Sequence, residues 1–77
     1  MASADLTERE VQVLALIHRG LSEKEIGREL AISPKTVNTH RNNIYRALRV
    51  HTAVEAAVWY ERNYYDRHLY VRPSAVA

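Results

Sequence analysis

The sequence predicts an all-α domain of four short helices. Three observations predict it. Helix-start signals recur four times along the chain, apolar residues fall at three- and four-residue spacings, and no stretch alternates with the period of a strand. Each helix is read from its start. Thr7-Glu8-Arg9-Glu10 is a capping box: the threonine hydroxyl accepts from the third helical N–H, and Glu10 reaches back. Ser22-Glu23-Lys24-Glu25 and Thr52-Ala53-Val54-Glu55 repeat the pattern. Ser33-Pro34 opens a helix differently, with a capping serine and a proline at the first helical position, where no N–H is missed. Gly20 follows the first periodic run and suits a left-handed helix end. The helices expected are 8–19, 23–30, 34–48 and 53–65. Only Ala31-Ile32-Ser33 separates the second from the third, and helices joined that tightly form a helix-turn-helix.

The first helix is apolar on two sides, with Val11, Leu14 and Leu21 on one stripe and Val13, Leu16 and Ile17 on another. Such a helix is contacted by several neighbours and is expected at the centre of the core. The second offers only Ile26 and Leu30, with Ile32 just beyond. Gly27 costs ~1 kcal/mol in a helix relative to alanine, which predicts a close approach by another helix as compensation. In the third helix Val37, Ile44 and Leu48 form one narrow apolar face, with His40 and Ala47 on its flank. The opposite face collects Lys35, Asn38, Thr39, Asn42, Tyr45, Arg46 and Arg49 and holds no carboxylate. Asparagine pairs bidentately with adenine, threonine bonds a base or touches a thymine methyl, and cations neutralise phosphates. A merely solvated helix face would also be polar, but it usually mixes in glutamate, as the second helix does.

Seventy-seven residues with 47% apolar and 26% charged content make one small globular domain with a marginal core. No apolar run approaches the ~20 residues of a membrane span, and the first residues lack the pattern of a signal peptide. The absence of cysteine excludes a disulfide scaffold and thiolate zinc sites and fits a cytoplasmic location. Two glycines make no phosphate-cradling loop. The net charge of +2 is unevenly laid out. Residues 1–29 carry four cations against six carboxylates, residues 55–77 balance three against three, and residues 30–54 carry Lys35, Arg41, Arg46 and Arg49 with no acid. Clustered base on one segment is the footprint of a polyanion binder.

These residues resemble the LuxR-type (NarL/FixJ-like) helix-turn-helix domain from Leu6 to about Tyr60. The matching pieces are Leu6-Thr7-x-Arg9-Glu10, Val13-Leu14, Gly20-Leu21-Ser22-x-Lys24-Glu25-Ile26, Leu30-x-Ile32-Ser33-x-x-Thr36-Val37-x-x-His40, Asn43-Ile44 and Leu48-x-Val50. Each is weak alone; together, in order and at the family's spacing, they are strong. Val54-Glu55-Ala56-Ala57-Val58-Trp59 looks like the fourth helix of the NarL subgroup. The resemblance implies sequence-specific duplex DNA binding by a bacterial transcription regulator, as in response-regulator output domains. The third helix would read the major groove and the fourth would dimerise. It assigns base reading to Asn38, Thr39 and Asn42, and phosphate contacts to positions near Ser33, Thr36, Arg41 and Arg46, beside which Lys35 and Arg49 are further cationic candidates. The family often has proline at Glu8, alanine at Gly27, glycine at Ala31 and Arg49, lysine at Ala47 and a cation at Ala53. Ala31 is strained if its site needs positive φ. A sigma-factor region that reads the −35 element shares the Leu-Thr-x-Arg-Glu start, but Thr36-Val37-x-x-His40 and the apolar fourth helix favour the LuxR type.

Residues 1–5 are expected to be a flexible start, 6–66 the domain and 67–77 a tail that frays after Pro73. Val54 and Val58 are expected to close the core, leaving Ala56, Trp59 and Tyr60 for a symmetric partner. Val54, Val58, Tyr65 and Leu69 keep near-helical spacing, interrupted by Arg62, which suggests a fourth helix that runs on to about residue 66, its tyrosines enlarging the dimer or tail packing. The expected partners are duplex DNA and a second copy of the chain, with RNA polymerase a further candidate and no membrane. No cofactor, metal or catalytic group is expected, because His18, His40, His51 and His68 make no i, i+4 pair and join no recognisable constellation. The alternative reading is a helix-turn-helix module that binds another regulator or the transcription machinery. Salt dependence of duplex binding separates the two.

Overall fold

The structure is a computed structural model that describes residues 6–65. Over these the chain forms α1 (Glu8–His18), α2 (Glu23–Leu30), α3 (Pro34–Leu48) and α4 (Ala53–Tyr60), and the last helix continues into a π-helical turn, Glu61–Tyr65. The expected start at 1–5 and the tail at 67–77 lie outside the described residues.

Local chemistry fixes the helix starts. Thr7 and Ser22 each accept from the N–H three residues on, and Glu10 and Glu25 each bond back to the cap N–H. At α4 the box is only half made. Thr52 accepts from Glu55 N, but the Glu55 carboxylate reaches past it to His51 N at 2.6 Å. Three helix ends close alike. Gly20 (φ 88°), Ala31 (φ 59°) and Arg49 (φ 60°) are left-handed, and Leu21, Ile32 and Val50 each donate back five residues, to Leu16, Gly27 and Tyr45. This is the Schellman arrangement, which satisfies carbonyls that a helix end leaves open. Ala31 therefore does sit where a glycine would be unstrained.

Val13, Leu14, Leu16 and Ile17 of α1, Ile26 of α2, Val37, Ile44 and Leu48 of α3, and Ala56 of α4 make the core. α1 touches all three other helices and is its centre, as its two apolar stripes require. Gly27 corrects one expectation. Its close neighbour is the turn itself, not another helix: an added Cβ would stand 2.6 Å from the Ile32 carbonyl oxygen.

α4 corrects another. Val54 is 72% and Val58 46% exposed, while Ala56 is fully buried. Trp59 and Tyr60 are half-buried against the core. The helix is turned so that an alanine, Ala56, faces the core, and α4 packs mainly against α1. Because α4 is apolar nearly all round, its sequence pattern did not favour one face. Beyond Tyr60 the chain stays helical as expected but winds more widely. The Asn63 side chain donates to Trp59 O at 2.9 Å, and Tyr64 stacks on Tyr60 with ring centroids 5.5 Å apart. His18, at the end of α1, holds this turn in place through Glu61 at 2.6 Å.

Candidate nucleic-acid interface

α3 buries Val37, Ile44 and Leu48 and so turns its other side outward. Lys35, Thr39, Asn42, Arg46 and Arg49 are exposed on that side. Among the described residues none is paired with a carboxylate. Arg46 donates to Asn43 Oδ1 at 3.2 Å, and the Thr39 hydroxyl donates to Lys35 O at 3.3 Å. Thr39 donates in the second bond, so its oxygen can still accept, and the residue is exposed. At the start of α3, Ser33 Oγ accepts from Thr36 N at 3.1 Å and lies 3.0 Å from Thr36 Oγ1. Both hydroxyls are exposed beside the helix N-terminus, whose backbone dipole favours an anion.

Two residues expected on the open face, Asn38 and Tyr45, and one expected at a phosphate, Arg41, have partners within the protein. Asn38, Arg41 and Tyr45 lie on the flank of α3 that meets the start of α2, and all three are half-buried. Asn38 Nδ2 donates to Glu23 Oε2 at 3.0 Å, and Arg41 forms an ion pair with the same oxygen. The Arg41 guanidinium lies over the Tyr45 ring, 5.6 Å from its centroid, and its Nε is buried without a hydrogen-bond partner. Arg41 is thus paired within the protein while its side chain stays partly exposed. Asn38 is tied back, and its carbonyl accepts from Asn42 Nδ2 at 3.2 Å. His40, on the other flank, is half-buried, and its Nδ1 is buried without a partner.

Glu23 is the residue that the sequence did not flag. It is the first residue of α2, fifteen positions before Asn38. Only the tight turn between α2 and α3 brings it onto the acid-free segment. A cavity of about 540 Å³ beside it is lined by Ile17, Leu21, Lys24, Arg41 and Tyr45, among others. Among the proposed partner-facing residues, Ala56 has no exposed surface and drops out. A shallow groove is lined instead by Val54, Ala57 and Val58 of α4 and by Glu61 and Arg62 of the turn after it, with His18 at its edge. Among the described residues no group of side chains could hold a metal ion, and no helix is long and apolar enough to cross a membrane.

A short helix pair that presents amides, hydroxyls and unpaired cations on its second member defines a helix-turn-helix module of the DNA-binding class. The family model described as bacterial regulatory proteins, luxR family, matches residues 4–60, and the chain belongs to that family of DNA-binding transcription regulators. It is similar to the transcriptional regulatory protein LiaR of Bacillus subtilis, 49% identical over 59 residues that make 77% of this chain and 28% of that protein. A nitrate/nitrite response regulator protein homolog of Haemophilus influenzae is 48% identical over 75% of this chain and 28% of its own. The response regulator UvrY of Escherichia coli is 42% identical over 68% of this chain and 24% of its own. The chain spans about a quarter of the length of these relatives.

Proposed function

We propose that α3 enters the major groove of a specific duplex and that two copies of the chain bind together through α4. In this reading Asn42 and Thr39 meet base edges, and Asn38 braces Asn42. Lys35, Arg46 and Arg49 neutralise phosphates, and the Ser33 and Thr36 hydroxyls bond phosphate oxygens. The observation that carries the reading is the exposed, carboxylate-free face of α3 opposite Val37, Ile44 and Leu48. The exposed Val54 and Val58 support pairing along α4, since a two-fold interface buries the same patch on both copies. The chain then works as a binding module and not as an enzyme. It supplies DNA recognition to a response-regulator type of control in the cytoplasm, with RNA polymerase a further partner.

Selection of bound sequences from random duplex, followed by salt titration, tests this. The expected product is an inverted pair of half-sites about one helical turn apart. Affinity should fall with salt at a logarithmic slope of about −0.9 per neutralised phosphate. A chain that binds no duplex at low salt, yet captures another regulator, would be a protein-interaction module instead.

A further inference from the structure

We propose that Glu23 sets the base preference of Asn42, acting through Asn38 as a positioning residue. The inference rests on the DNA-binding reading above. A carboxylate has acceptors and no donor. The group that Asn38 turns toward Glu23 Oε2, 3.0 Å away, must therefore be its NH2. Its carbonyl oxygen then points along α3 to the next turn, where the Asn42 amide nitrogen meets it at 3.2 Å. Two side-chain amides bonded only to each other could exchange oxygen and nitrogen together at little cost. Glu23 removes that freedom, and Arg41 holds Glu23 in place through the same Oε2.

The polarity of the chain reaches the open face. With one N–H committed to Asn38, Asn42 presents its carbonyl oxygen and its second N–H outward. In the major groove adenine offers an N6 donor beside an N7 acceptor, which is the matching pattern. In the reversed polarity Asn42 would accept from Asn38 through one oxygen lone pair and present its N–H where its oxygen had been. That N–H meets the N6 donor of adenine, a mismatch, but the O6 acceptor of guanine, a match. Glu23 therefore favours adenine over guanine at the position that Asn42 reads, without touching the DNA.

The test compares the wild-type chain with Glu23→Ala, which removes the acceptor that fixes Asn38. Binding is measured on duplexes that carry adenine or guanine at the position whose preference Asn42→Ala abolishes. The wild type should prefer adenine roughly tenfold or more. Glu23→Ala should narrow that ratio to about twofold or less, because Asn38 and Asn42 are then free to exchange polarity together. It should also raise affinity for unrelated duplex, because a negative charge leaves the interface. In an Asn42→Ala background the same change should leave the adenine-to-guanine ratio unmoved. A Glu23→Ala chain that binds every duplex more tightly with its ratio intact overturns the proposal. The wild type alone supplies a second measurement if the variant does not fold. Purine in place of adenine lacks the N6 amine, and 7-deazaadenine lacks N7. Each should weaken binding, and indifference to both overturns the proposal. A wild-type chain that binds no duplex sinks the DNA reading itself, an outcome separate from either of these.

Discussion

The Ile32 carbonyl oxygen stands 2.6 Å from the point that a β-carbon on Gly27 would occupy. The turn of the helix-turn-helix thus folds directly over the helix before it, and Ile32 N donates to Gly27 O at 2.9 Å. Alanine at this site would gain about 1 kcal/mol of helix propensity. It would also force the turn backbone away, and overpacking of this kind costs about 1–3 kcal/mol. Gly27→Ala is therefore expected to destabilise the domain, read as a lower urea midpoint at unchanged slope. Gly20 shows the relief that is available. Its φ of 88° lies well beyond the 59° of Ala31 in the corresponding place. With Ala31→Gly added, the turn can rotate the same way, so the double variant should lose less than the single one. Equal losses would show that the carbonyl cannot move.

Ala31 and Arg49 both carry side chains in left-handed backbone, at φ 59° and 60°. That conformation costs an ordinary residue about 1–2 kcal/mol, of which glycine's greater unfolded freedom takes back about 0.5–1 kcal/mol. Glycine at either site should stabilise by about 0.5–1 kcal/mol. The two differ in function. Ala31→Gly removes no charge. Arg49→Gly removes an exposed cation beside α3, so it should raise the melting temperature while lowering the salt slope of duplex binding by about 0.9. A stabilised variant with an unchanged slope would take Arg49 out of the phosphate contacts.

The helix boundaries and the buried side of α3 were legible because their signals are local. Thr7 and Glu10, or Ser33 and Thr36, meet within one turn, and Val37, Ile44 and Leu48 repeat at helical spacing. Glu23 was not legible, since its partners Asn38 and Arg41 reach it only through the tertiary turn. That contact also gives two expected site residues, Asn38 and Arg41, a partner within the protein. The third expected box failed for a local reason: Glu55 finds His51 N and leaves Thr52 N. The facing of α4 was hidden for a different reason. With Val54, Ala56, Ala57, Val58 and Trp59 all apolar, periodicity gives no preferred side, and the side that is buried, at Ala56, is set by tertiary packing.

That facing predicts opposite outcomes for neighbouring substitutions. Val58→Lys adds a charge to an exposed strip and should weaken self-association with little loss of fold, since surface changes usually lie within about 0.5 kcal/mol. Ala56→Leu adds volume where no space exists and should destabilise by about 1–3 kcal/mol. Sedimentation equilibrium and thermal melts separate the two effects. If Val58→Lys left the monomer–dimer balance unchanged, pairing along this strip would be ruled out.

Asn42 and Arg46 lie four residues apart on one face of α3, yet their losses should read differently. Asn42 has its amide fixed by Asn38 and so offers a directed donor and acceptor. Among the described residues Arg46 bonds Asn43, and it is exposed. Asn42→Ala should cost about 1–3 kcal/mol on the preferred duplex and relax one base position. Arg46→Ala should weaken all duplexes by a similar factor and flatten the salt slope by about 0.9. Anisotropy titrations on a set of single-base variants, each at two salt concentrations, distinguish these patterns. A sequence-selective loss from Arg46→Ala, or a uniform one from Asn42→Ala, would reverse the assignment of reader and anchor.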